Sequence, residues 1–253
     1  MYPWDANGEF MTKKWILVTG GSKRIGAEII SLFHKNNFNT IIHCNSSMDD
    51  AKRLSDKLNA QRSDSSFYVQ ANLNSIEGVN RLAEEAQKIT SELNVLVNNA
   101  STFYPTPIAD VNETDWDKLI NPNFKAPLFL TQKLIKLMTA HDSSIINIVD
   151  IHSQRPLKNH LIYGPAKAAL AMLTRSMAKD FAPKIRVNGI SPGAILWPDQ
   201  DVSDKTKESI IKQIPIGRCG EPADIAKTAL FLYESSYITG QIIAVDGGRS
   251  IGW

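Results

Sequence analysis

The sequence predicts an α/β fold: a single doubly wound domain whose seven-stranded, mainly parallel sheet carries helices on both faces. Two observations lead to this prediction. From Trp15 onward, short apolar runs rich in β-branched residues alternate with longer amphipathic stretches, which is the pattern of repeated βαβ units. In addition, a glycine-rich turn, TGGSKRIG at residues 19–26, stands directly between the first strand pattern and the first helix pattern.

The individual elements follow from this alternation. Short apolar runs bounded by turn residues predict strands at 15–18, 40–44, 66–70, 95–98, 144–149, 185–189 and 242–245. The stretches between them are long enough to cross from one parallel strand to the next. They predict helices at 24–36, 48–61, 75–91, 114–138, 163–181 and 222–233.

Length and composition fit one sizeable core, because 43% of the 253 residues are hydrophobic and 21% are charged. No linker, repeat or low-complexity tract divides the chain, so one domain is expected over residues 11–253. Residues 1–10, MYPWDANGEF, read unlike the rest and precede a second plausible start at Met11. They are expected to be an added leader.

Charge and cysteine content exclude several classes of function. The chain has 28 basic and 26 acidic residues and no dense basic run, so no nucleic-acid partner is expected. Cys44 and Cys219 lie far apart, which predicts neither a disulfide framework nor a metal site. With no apolar run near the ~20 residues of a membrane span and no signal peptide, we expect a cytoplasmic protein without a membrane partner.

The glycine-rich turn predicts a dinucleotide site of the Rossmann type. Gly20 and Gly21 allow a tight turn, and Gly26 lets the following helix pack closely on the strand. The N-terminus of that helix offers N–H groups to a pyrophosphate. Glycines also end strands and cap helices for structural reasons alone, and the strand–turn–helix order is what favours a dinucleotide.

The end of the second strand indicates which dinucleotide. NAD-preferring folds place an acidic residue there, whereas this chain has HCNSS at residues 43–47. Ser46 and Ser47 can donate hydrogen bonds to a 2′-phosphate, and Lys23 and Arg24 can neutralise it. NADP(H) is therefore the expected cofactor, and solvated basic residues on a loop are the less favoured alternative.

The segment YGPAK places Tyr163 and Lys167 four residues apart on one face of a helix. A neighbouring ammonium is expected to lower the phenol pKa from about 10 towards neutrality. The tyrosine could then exchange a proton with a carbonyl or an imine during hydride transfer.

Together with NNA at residues 98–100, Pro192-Gly193, YITG at 237–240 and VDGG at 245–248, these motifs resemble the short-chain dehydrogenase/reductase family. The resemblance covers about residues 14–248 and implies a cofactor-binding set and a homotetramer formed by the long helices and the C-terminal end. The residues expected to bind the dinucleotide are Gly20, Lys23, Arg24, Ile25, Gly26, Asn45, Ser46, Ser47, Asn72, Asn99, Ala100, Ser101, Pro192 and Gly193.

The same resemblance implies an asparagine that relays protons to the lysine. Asn123 in NPNFKAP matches it best, and Asn121 is the competing choice. Pro122 lies between them in a predicted helix interior, where it removes a backbone hydrogen bond, so a local kink is expected.

Asp150 is the most informative departure from the family pattern. Most members have a serine thirteen residues before the tyrosine, where this chain has Asp150, and Ser153 stands too close to Tyr163 to replace it. A carboxyl group can hydrogen-bond the tyrosine hydroxyl and help to protonate a ring nitrogen. The expected catalytic set is therefore Asp150, Tyr163, Lys167 and Asn123, and reduction of C=N is favoured.

Arg24, Asp150 and NNASTFYPTP at residues 98–107 resemble the pteridine reductase branch of the family. The resemblance implies that Phe103 stacks on a flat pterin ring and that Arg24 reaches both the cofactor phosphates and the substrate. Taken singly, each residue also has an ordinary structural reading. The expected substrate contacts are Arg24, Ser101, Phe103, Asp150, Tyr163 and Trp197, the last in a loop at 194–202 that is expected to set substrate choice.

These expectations lead to NADPH-dependent reduction of pterins, namely biopterin, dihydrobiopterin and, as a further candidate, dihydrofolate. Reduction of ketones or 3-oxoacyl thioesters on the same scaffold is the first alternative, because a fold does not fix the substrate. A non-catalytic dinucleotide-binding sensor or scaffold is the second.

Overall fold

Seven strands and eight α-helices alternate along residues 13–196 and 203–251, which a computed structural model of the protein describes. Residues 1–10 and Trp197 lie outside the described residues. The strands are β1 Trp15–Val18, β2 Asn39–Cys44, β3 Ser66–Gln70, β4 Val95–Asn98, β5 Ser144–Ile148, β6 Arg186–Pro192 and β7 Ile242–Val245. The helices are α1 Arg24–Lys35, α2 Met48–Gln61, α3 Ile76–Ile89, α4 Glu113–Ile120, α5 Ala126–Leu134, α6 Tyr163–Phe181, α7 Asp204–Lys212 and α8 Pro222–Glu234.

The strands form one sheet in the order β3-β2-β1-β4-β5-β6-β7, and each neighbouring pair is parallel. The predicted α/β fold is confirmed. The chain winds outward from β1 in one direction and from β4 in the other, so the strand order reverses between them. In such sheets a crevice opens at the carboxyl ends of the strands at this point, and ligands bind there.

Side-chain alternation along β1 assigns the helices to two layers. Ile16 and Val18 pack into a core with α1 and α8, whereas Leu17 packs on the other face with α3, α5 and α6. All three are fully buried. A strand covered on both faces needs apolar residues at successive positions, and burying each such side chain contributes roughly 1.5–3 kcal/mol.

The helix predicted at 114–138 is interrupted, as Pro122 led us to expect. Between α4 and α5 the chain makes a π-helical turn, Asn121–Lys125, and the N–H of Ala126 bonds to the carbonyl of Asn121. A proline has no N–H to give to the helix, and a π turn accommodates the lost bond by widening the backbone locally. Asn123 lies inside this turn and is fully buried.

Strand β6 extends beyond its predicted end at Gly189. It runs to Pro192, because residues 189–192 pair with β7, with Gly189 opposite Ile242 and Pro192 opposite Val245. The prediction that Pro192 follows the strand was wrong. Local sequence could not reveal this, because the proline is a poor strand residue and its partner lies some fifty positions later.

Helix α7 was not predicted from the sequence. Ser203 caps it by accepting a hydrogen bond from the N–H of Thr206, yet none of its side chains is buried. A helix without a buried face lacks the apolar periodicity from which helices are predicted. Among the described helices, none has the length and apolar character needed to cross a membrane.

His43, at the end of β2, joins three segments below the crevice. Its Nδ1 accepts a hydrogen bond from the N–H of Gly20 at 3.0 Å. The opposite ring nitrogen, Nε2, then carries the proton and donates to the carbonyl of Ala71 at 3.0 Å. Burial lowers the pKa of His43 to about 4, so the ring is neutral at physiological pH.

Acidification is therefore expected to destabilise the fold through His43. In the unfolded chain the ring titrates at 6.5, whereas in the folded chain it titrates at about 4. The unfolded state binds more protons between these two pKa values. The contribution of His43 to the free energy of unfolding is therefore fully present above pH 6.5, and about 3 kcal/mol is lost as the pH drops to 4. Urea titrations across the window measure this slope.

The control compares two histidine substitutions. His43→Gln keeps polar groups at the site and should flatten the slope, whereas His141→Asn changes an exposed histidine and should leave the slope unchanged. Equal slopes in wild type and His43→Gln would assign the acid sensitivity to other groups.

Candidate active site

Hydrogen bonds between the ends of β1 and β4 build the floor of the crevice. The hydroxyl oxygen of Thr19 accepts bonds from the backbone N–H groups of Asn99 and Ala100, each at 2.9 Å. In return, the Asn99 amide donates to the carbonyls of Thr19 and Gly20 at 2.9 and 3.0 Å. Asn99 and Ala100, both expected at the cofactor, thus hold the glycine-rich turn. Thr19 was not predicted.

The turn itself is shaped for close approach of a ligand. Gly20 has a φ of 60°, and a Cβ atom there would lie 3.1 Å from Cα of Ala100. A Cβ atom on Gly26 would lie 2.1 Å from the carbonyl oxygen of Gly20. Lys23, the N-cap of α1, makes no side-chain capping bond, so the helix N-terminus can offer its amides to a pyrophosphate.

A cavity of about 300 Å³ lies at the ends of β2 and β3. Asn45 and Asn72 line it as expected of cofactor-binding residues, and the Gln70 amide donates to the Asn45 carbonyl at 3.0 Å. Ser46 and Ser47 follow immediately and lead into α2, with Ser47 as its N-cap. Polar groups at these strand ends suit the adenosine half of a dinucleotide.

The side chain of Lys23 forms an ion pair with a carboxylate that was not predicted to lie near it. Its ammonium lies 2.8 Å from Asp50 near the start of α2, and Asp50 also pairs with Arg53. The prediction that no carboxylate lies near the 2′-phosphate was made from residues 43–47, and Asp50 lies just beyond them. Arg24, with a φ of 50°, reaches across the crevice and donates to the carbonyl of Ile195 at 3.3 Å.

Tyr163 and Asp150 form a direct pair at the end of β5. The buried Tyr163, the first residue of α6, donates its hydroxyl proton to Asp150 Oδ2 at 2.7 Å. The other carboxylate oxygen accepts from the N–H of His152 at 2.8 Å and caps the short 3₁₀ turn Ile151–Ser153. Asp150, rather than Ser153, therefore stands against the tyrosine, as the spacing predicts.

Lys167 lies one helical turn further along α6 and is 2% exposed. Its ammonium donates to the carbonyl of Ile148 at 3.0 Å and lies 5.8 Å from the centre of the Tyr163 ring. Burial lowers the pKa of Lys167 to about 8, and the Asp150 charge acts in the opposite direction.

The prediction that the Tyr163 pKa is lowered towards neutrality was wrong. Burial raises the pKa of Tyr163 well above 10.0, the Asp150 charge and hydrogen bond raise it further, and only a hydrogen bond with Ser101 lowers it. Desolvation and a carboxylate both disfavour a phenolate. The phenol is therefore protonated at neutral pH, which is the form that can donate a proton.

Asn123, and not Asn121, belongs to this site. Its Oδ1 accepts a bond from the Ser101 hydroxyl at 2.7 Å, and its Nδ2 donates to the carbonyls of Thr102 and Leu119, each at 2.9 Å. Asn121 points elsewhere and donates to the carbonyl of Asn74. The Asn123 side chain is thus hydrogen-bonded to Ser101, and the expected link to Lys167 is not made by that side chain.

Phe103 forms an aromatic wall beside Tyr163. Its ring is 55% exposed and meets the Tyr163 ring edge to face at 4.8 Å. It also stacks on His160 with ring centres 4.7 Å apart and planes inclined by 18°. The loop that carries Phe103 is joined to the loop before α6 by a β-bridge between Thr106 and His160. The alternative that Phe103 is ordinary core is excluded by its exposure.

Most of the chain matches known reductases. Residues 20–250 match the family model described as enoyl-(acyl carrier protein) reductase. The chain belongs to the short-chain dehydrogenase/reductase family.

Individual relatives divide between two substrate classes. Pteridine reductase 1 of Leishmania tarentolae is 32% identical over 277 residues, which cover 93% of this chain and 96% of that protein. The 3-oxoacyl-[acyl-carrier-protein] reductase FabG of Staphylococcus aureus is 33% identical over 243 residues, 94% and 98% of the two chains. FabG of Thermotoga maritima is 31% identical with the same coverage. Similarity therefore fixes the family and leaves the substrate open.

A chain of buried polar side chains runs beneath Tyr163 and Asp150. The Asn98 amide donates to Asn147 Oδ1 at 2.8 Å, and the Asn147 amide donates to the Thr174 hydroxyl at 2.9 Å. It fixes β4, β5 and α6 relative to one another. This chain of hydrogen bonds was not predicted from the sequence. The asparagine inside the apolar run of β5 indicated it, because buried amides need hydrogen-bond partners.

Gly193 allows the C-terminal end to reach the crevice. Its N–H donates to the carbonyl of Val245 at 3.1 Å, and a Cβ atom there would lie 2.7 Å from Cα of Asp246. The expected motif Pro192-Gly193 thus closes the sheet against β7 beside the proposed cofactor site.

Replacing Lys167 with methionine is expected to stabilise the fold. Burying the ammonium shifts its pKa from 10.5 to about 8, which costs roughly 3 kcal/mol below pH 8. Losing the bond to the Ile148 carbonyl offsets about 1–2 kcal/mol of that gain. Urea unfolding near neutral pH should show Lys167→Met to be more stable than wild type by about 1–2 kcal/mol.

The pH dependence supplies the control. The folded pKa of Lys167 is below the unfolded one, so the penalty disappears as the pH rises from 8 to 10.5. The advantage of Lys167→Met should shrink over this range, and the exposed Lys179→Met should show no such trend. A methionine variant less stable than wild type at every pH would mean that the ammonium is a net stabiliser.

Proposed function

We propose that this short-chain reductase uses NADPH to reduce pterins. The observation that carries the proposal is the 2.7 Å bond between the Tyr163 hydroxyl and Asp150, a carboxylate where most of the family has serine. A carbonyl substrate gains most from a hydroxyl that donates to its oxygen. Protonation of a ring nitrogen during C=N reduction is assisted most by a proton donor held in a hydrogen-bonded chain. Tyr163 and Asp150 form such a chain.

The cofactor proposal rests on the shape and donor set of the crevice. The glycine-rich turn and the N-terminus of α1 would hold the pyrophosphate, and Asn45 and Asn72 would line the adenosine. Ser46 and Ser47 would donate hydrogen bonds to the 2′-phosphate, whereas Arg24, which reaches the carbonyl of Ile195 across the crevice, would lie nearer the substrate. When bound, NADPH supplies the hydride. The remaining contacts proposed are Lys23, Ile25, Asn99, Ala100, Ser101, Pro192 and Gly193.

The proton comes from the tyrosine. With its pKa raised by burial, Tyr163 stays protonated until a substrate nitrogen accepts its proton. Lys167, charged below its pKa of about 8, lowers the energy of the phenolate left behind. Asp150, hydrogen-bonded to the tyrosine, is the group through which the phenolate would recover a proton from solvent.

The aromatic wall supports a flat substrate. One face of the Phe103 ring is covered by His160, and more than half of the side chain remains exposed for an offset stack on a planar heterocycle. Arg24 and Ser101 flank the same space with polar groups. Trp197 stays part of the proposed substrate set.

Reduction of 3-oxoacyl thioesters is the second candidate. Two FabG relatives at 31–33% identity support it as strongly as the pteridine reductase at 32% supports the first. Asp150 is the feature that favours pterins over it. The intact arrangement of Tyr163 and Lys167 supports catalysis over a sensor or scaffold role.

We further propose a cytoplasmic homotetramer. Both cysteines are free thiols, which suits a reducing compartment. Large apolar side chains are exposed on the helices and the C-terminal end through which such an assembly would form. They are Trp116 on α4, Met172 on α6, Phe231 on α8, and Tyr237 and Ile251 near β7. Light scattering should give four times the 28.1 kDa chain mass.

Tyr163→Phe is expected to abolish turnover and to leave NADPH binding intact. The variant keeps the ring packing and removes only the proton donor, so kcat should fall by roughly 10²–10⁴-fold. Fluorescence titration should give a Kd for NADPH within about twofold of wild type, since the substituted atom contributes no charge to the cofactor site. Retained turnover would remove Tyr163 from its proposed role.

A substrate panel tests the proposed function. NADPH oxidation is measured with biopterin, dihydrobiopterin, dihydrofolate and acetoacetyl thioester, and repeated with NADH. Pterin reduction with a preference for NADPH is expected. Asp150→Ser should lower kcat/KM for pterins by at least about tenfold and affect the thioester less, because only the nitrogen relies on the carboxylate.

Three results would contradict these expectations. Turnover of the thioester alone would favour the second candidate. Equal losses for both substrate classes in Asp150→Ser would remove the carboxylate's selective role. Cofactor binding without any turnover would favour a non-catalytic dinucleotide-binding sensor or scaffold.

A further inference from the structure

Residues 101–106 alternate in exposure as they pass the candidate catalytic tyrosine. The odd-numbered side chains are exposed, and the even-numbered ones are half-buried or buried. Successive side chains of an extended chain point to opposite faces, so Phe103 stands on the open face of this segment. Its ring contacts the Tyr163 ring edge to face, with centres 4.8 Å apart. An exposed aromatic ring thus lies beside the proposed proton donor.

Three contacts hold the other face of this segment. The hydroxyls of Thr102 and Tyr104 both bond to helix α4, and Tyr104 donates to Asp115 at 3.1 Å. The N–H of Thr106 donates to the carbonyl of Asn159 in the loop before α6. These contacts hold the backbone. They do not define how the phenyl ring on the open face is turned, so its orientation depends on what packs against it.

His160 is the side chain that packs on the Phe103 ring. The two rings are stacked, with centres 4.7 Å apart and planes inclined by 18°. His160 Nδ1 bonds to the carbonyl of Lys158 at 2.8 Å, and since a carbonyl only accepts, Nδ1 carries the proton. The His160 carbonyl accepts a bond from the N–H of Gly164 at 3.3 Å. The imidazole is therefore tied to the first turn of α6, which also carries Tyr163.

The imidazole has room to leave the stack. A cavity of about 340 Å³ beside it is lined by His160 together with His152, Leu157 and Leu161. Without its bond to the Lys158 carbonyl, the ring could turn into this space and release the phenyl ring. The bond from Nδ1 therefore favours the stacked orientation over the others that the cavity would accept.

We propose that His160 is a positioning residue that orients Phe103 for a flat substrate and so favours planar heterocycles over flexible chains. A stacked neighbour fixes the plane of the phenyl ring, and a planar substrate gains most when its own ring can lie parallel to that plane. A flexible acyl chain makes no such demand. The inference concerns the site of the proposed function and rests on it for the class of substrate.

The kinetic test compares His160→Ala with His160→Phe, using dihydrobiopterin as the substrate. His160→Ala removes the stack, so KM should rise roughly three- to tenfold. The value of kcat should stay within about twofold, because Tyr163 and the cofactor site are untouched. His160→Phe keeps a stacking ring and should recover most of the loss in KM. Wherever the wild type turns over acetoacetyl thioester, its KM should change by less than about twofold in either variant.

Fluorine NMR reports the surroundings of Phe103 without turnover. Protein labelled with 4-fluorophenylalanine carries nine reporter rings, and the Phe103 resonance is the one missing from Phe103→Leu. The ring current of a stacked imidazole shifts this resonance. The resonance should therefore move in His160→Ala and stay nearer to its wild-type position in His160→Phe.

The exposed His141 supplies the matched control. His141→Ala should leave both KM and the Phe103 resonance unchanged. Circular dichroism and the Kd for NADPH show whether each variant is folded, and His160→Gln replaces the alanine variant if that one is not. A merely structural contribution of His160 would change thermal stability without a selective change in KM for the pterin.

The outcomes separate this inference from the proposed function. Turnover of dihydrobiopterin with an unchanged KM in His160→Ala would overturn the positioning role and leave pterin reduction standing. No pterin turnover by the wild type, together with a Phe103 resonance that moves in His160→Ala, would reject pterin reduction and keep the positioning role. A resonance that stays in place in His160→Ala would overturn the inference whatever the substrate.

Discussion

The junction between β1 and β4 is the constraint on which the rest of the molecule depends. There the Thr19 hydroxyl and the Asn99 amide exchange four hydrogen bonds with backbone groups of the two strands' ends. Because the order of the described strands reverses at this point, the connections that follow β1 and β4 diverge and leave a crevice between them. The glycine-rich turn, the start of α1 and the loop to Phe103 all leave from this junction, so its geometry sets theirs.

Burial shifts the protonation equilibria of the two candidate catalytic residues on α6. Lys167 is almost fully buried against a backbone carbonyl, and Tyr163 is buried against a carboxylate. Both environments disfavour the charged form, which lowers the lysine pKa and raises the tyrosine pKa. A site arranged in this way keeps a neutral proton donor beside a cation whose charge is easily lost. Stability is given up for that arrangement, as active sites commonly require.

Much of the fold, and the close approach of Tyr163, Lys167 and Asp150 in the candidate site, could be predicted from the sequence. Apolar periodicity predicted the strands. The spacing of Tyr163, Lys167 and Asp150 along the chain predicted that they lie together, and in the structure their side chains are neighbours. What failed depended on contacts between distant segments. The end of β6 is set by β7, Lys23 is paired with Asp50, and the pKa of Tyr163 follows burial rather than its neighbour four residues on. The sequence shows which residues are close to one another along the chain. It does not show which distant segments pack over a residue and bury it.

The all-parallel sheet has a consequence for synthesis of the protein. Parallel neighbours cannot be joined by a hairpin, so every strand pairing needs a crossover and the closure of a long loop. β7 pairs with β6 and positions Asp246 against Gly193, and it follows the other six described strands along the chain. A nascent chain that has not yet reached β7 would hold the glycine-rich turn but leave β6 as an open sheet edge, a form suited to chaperone binding.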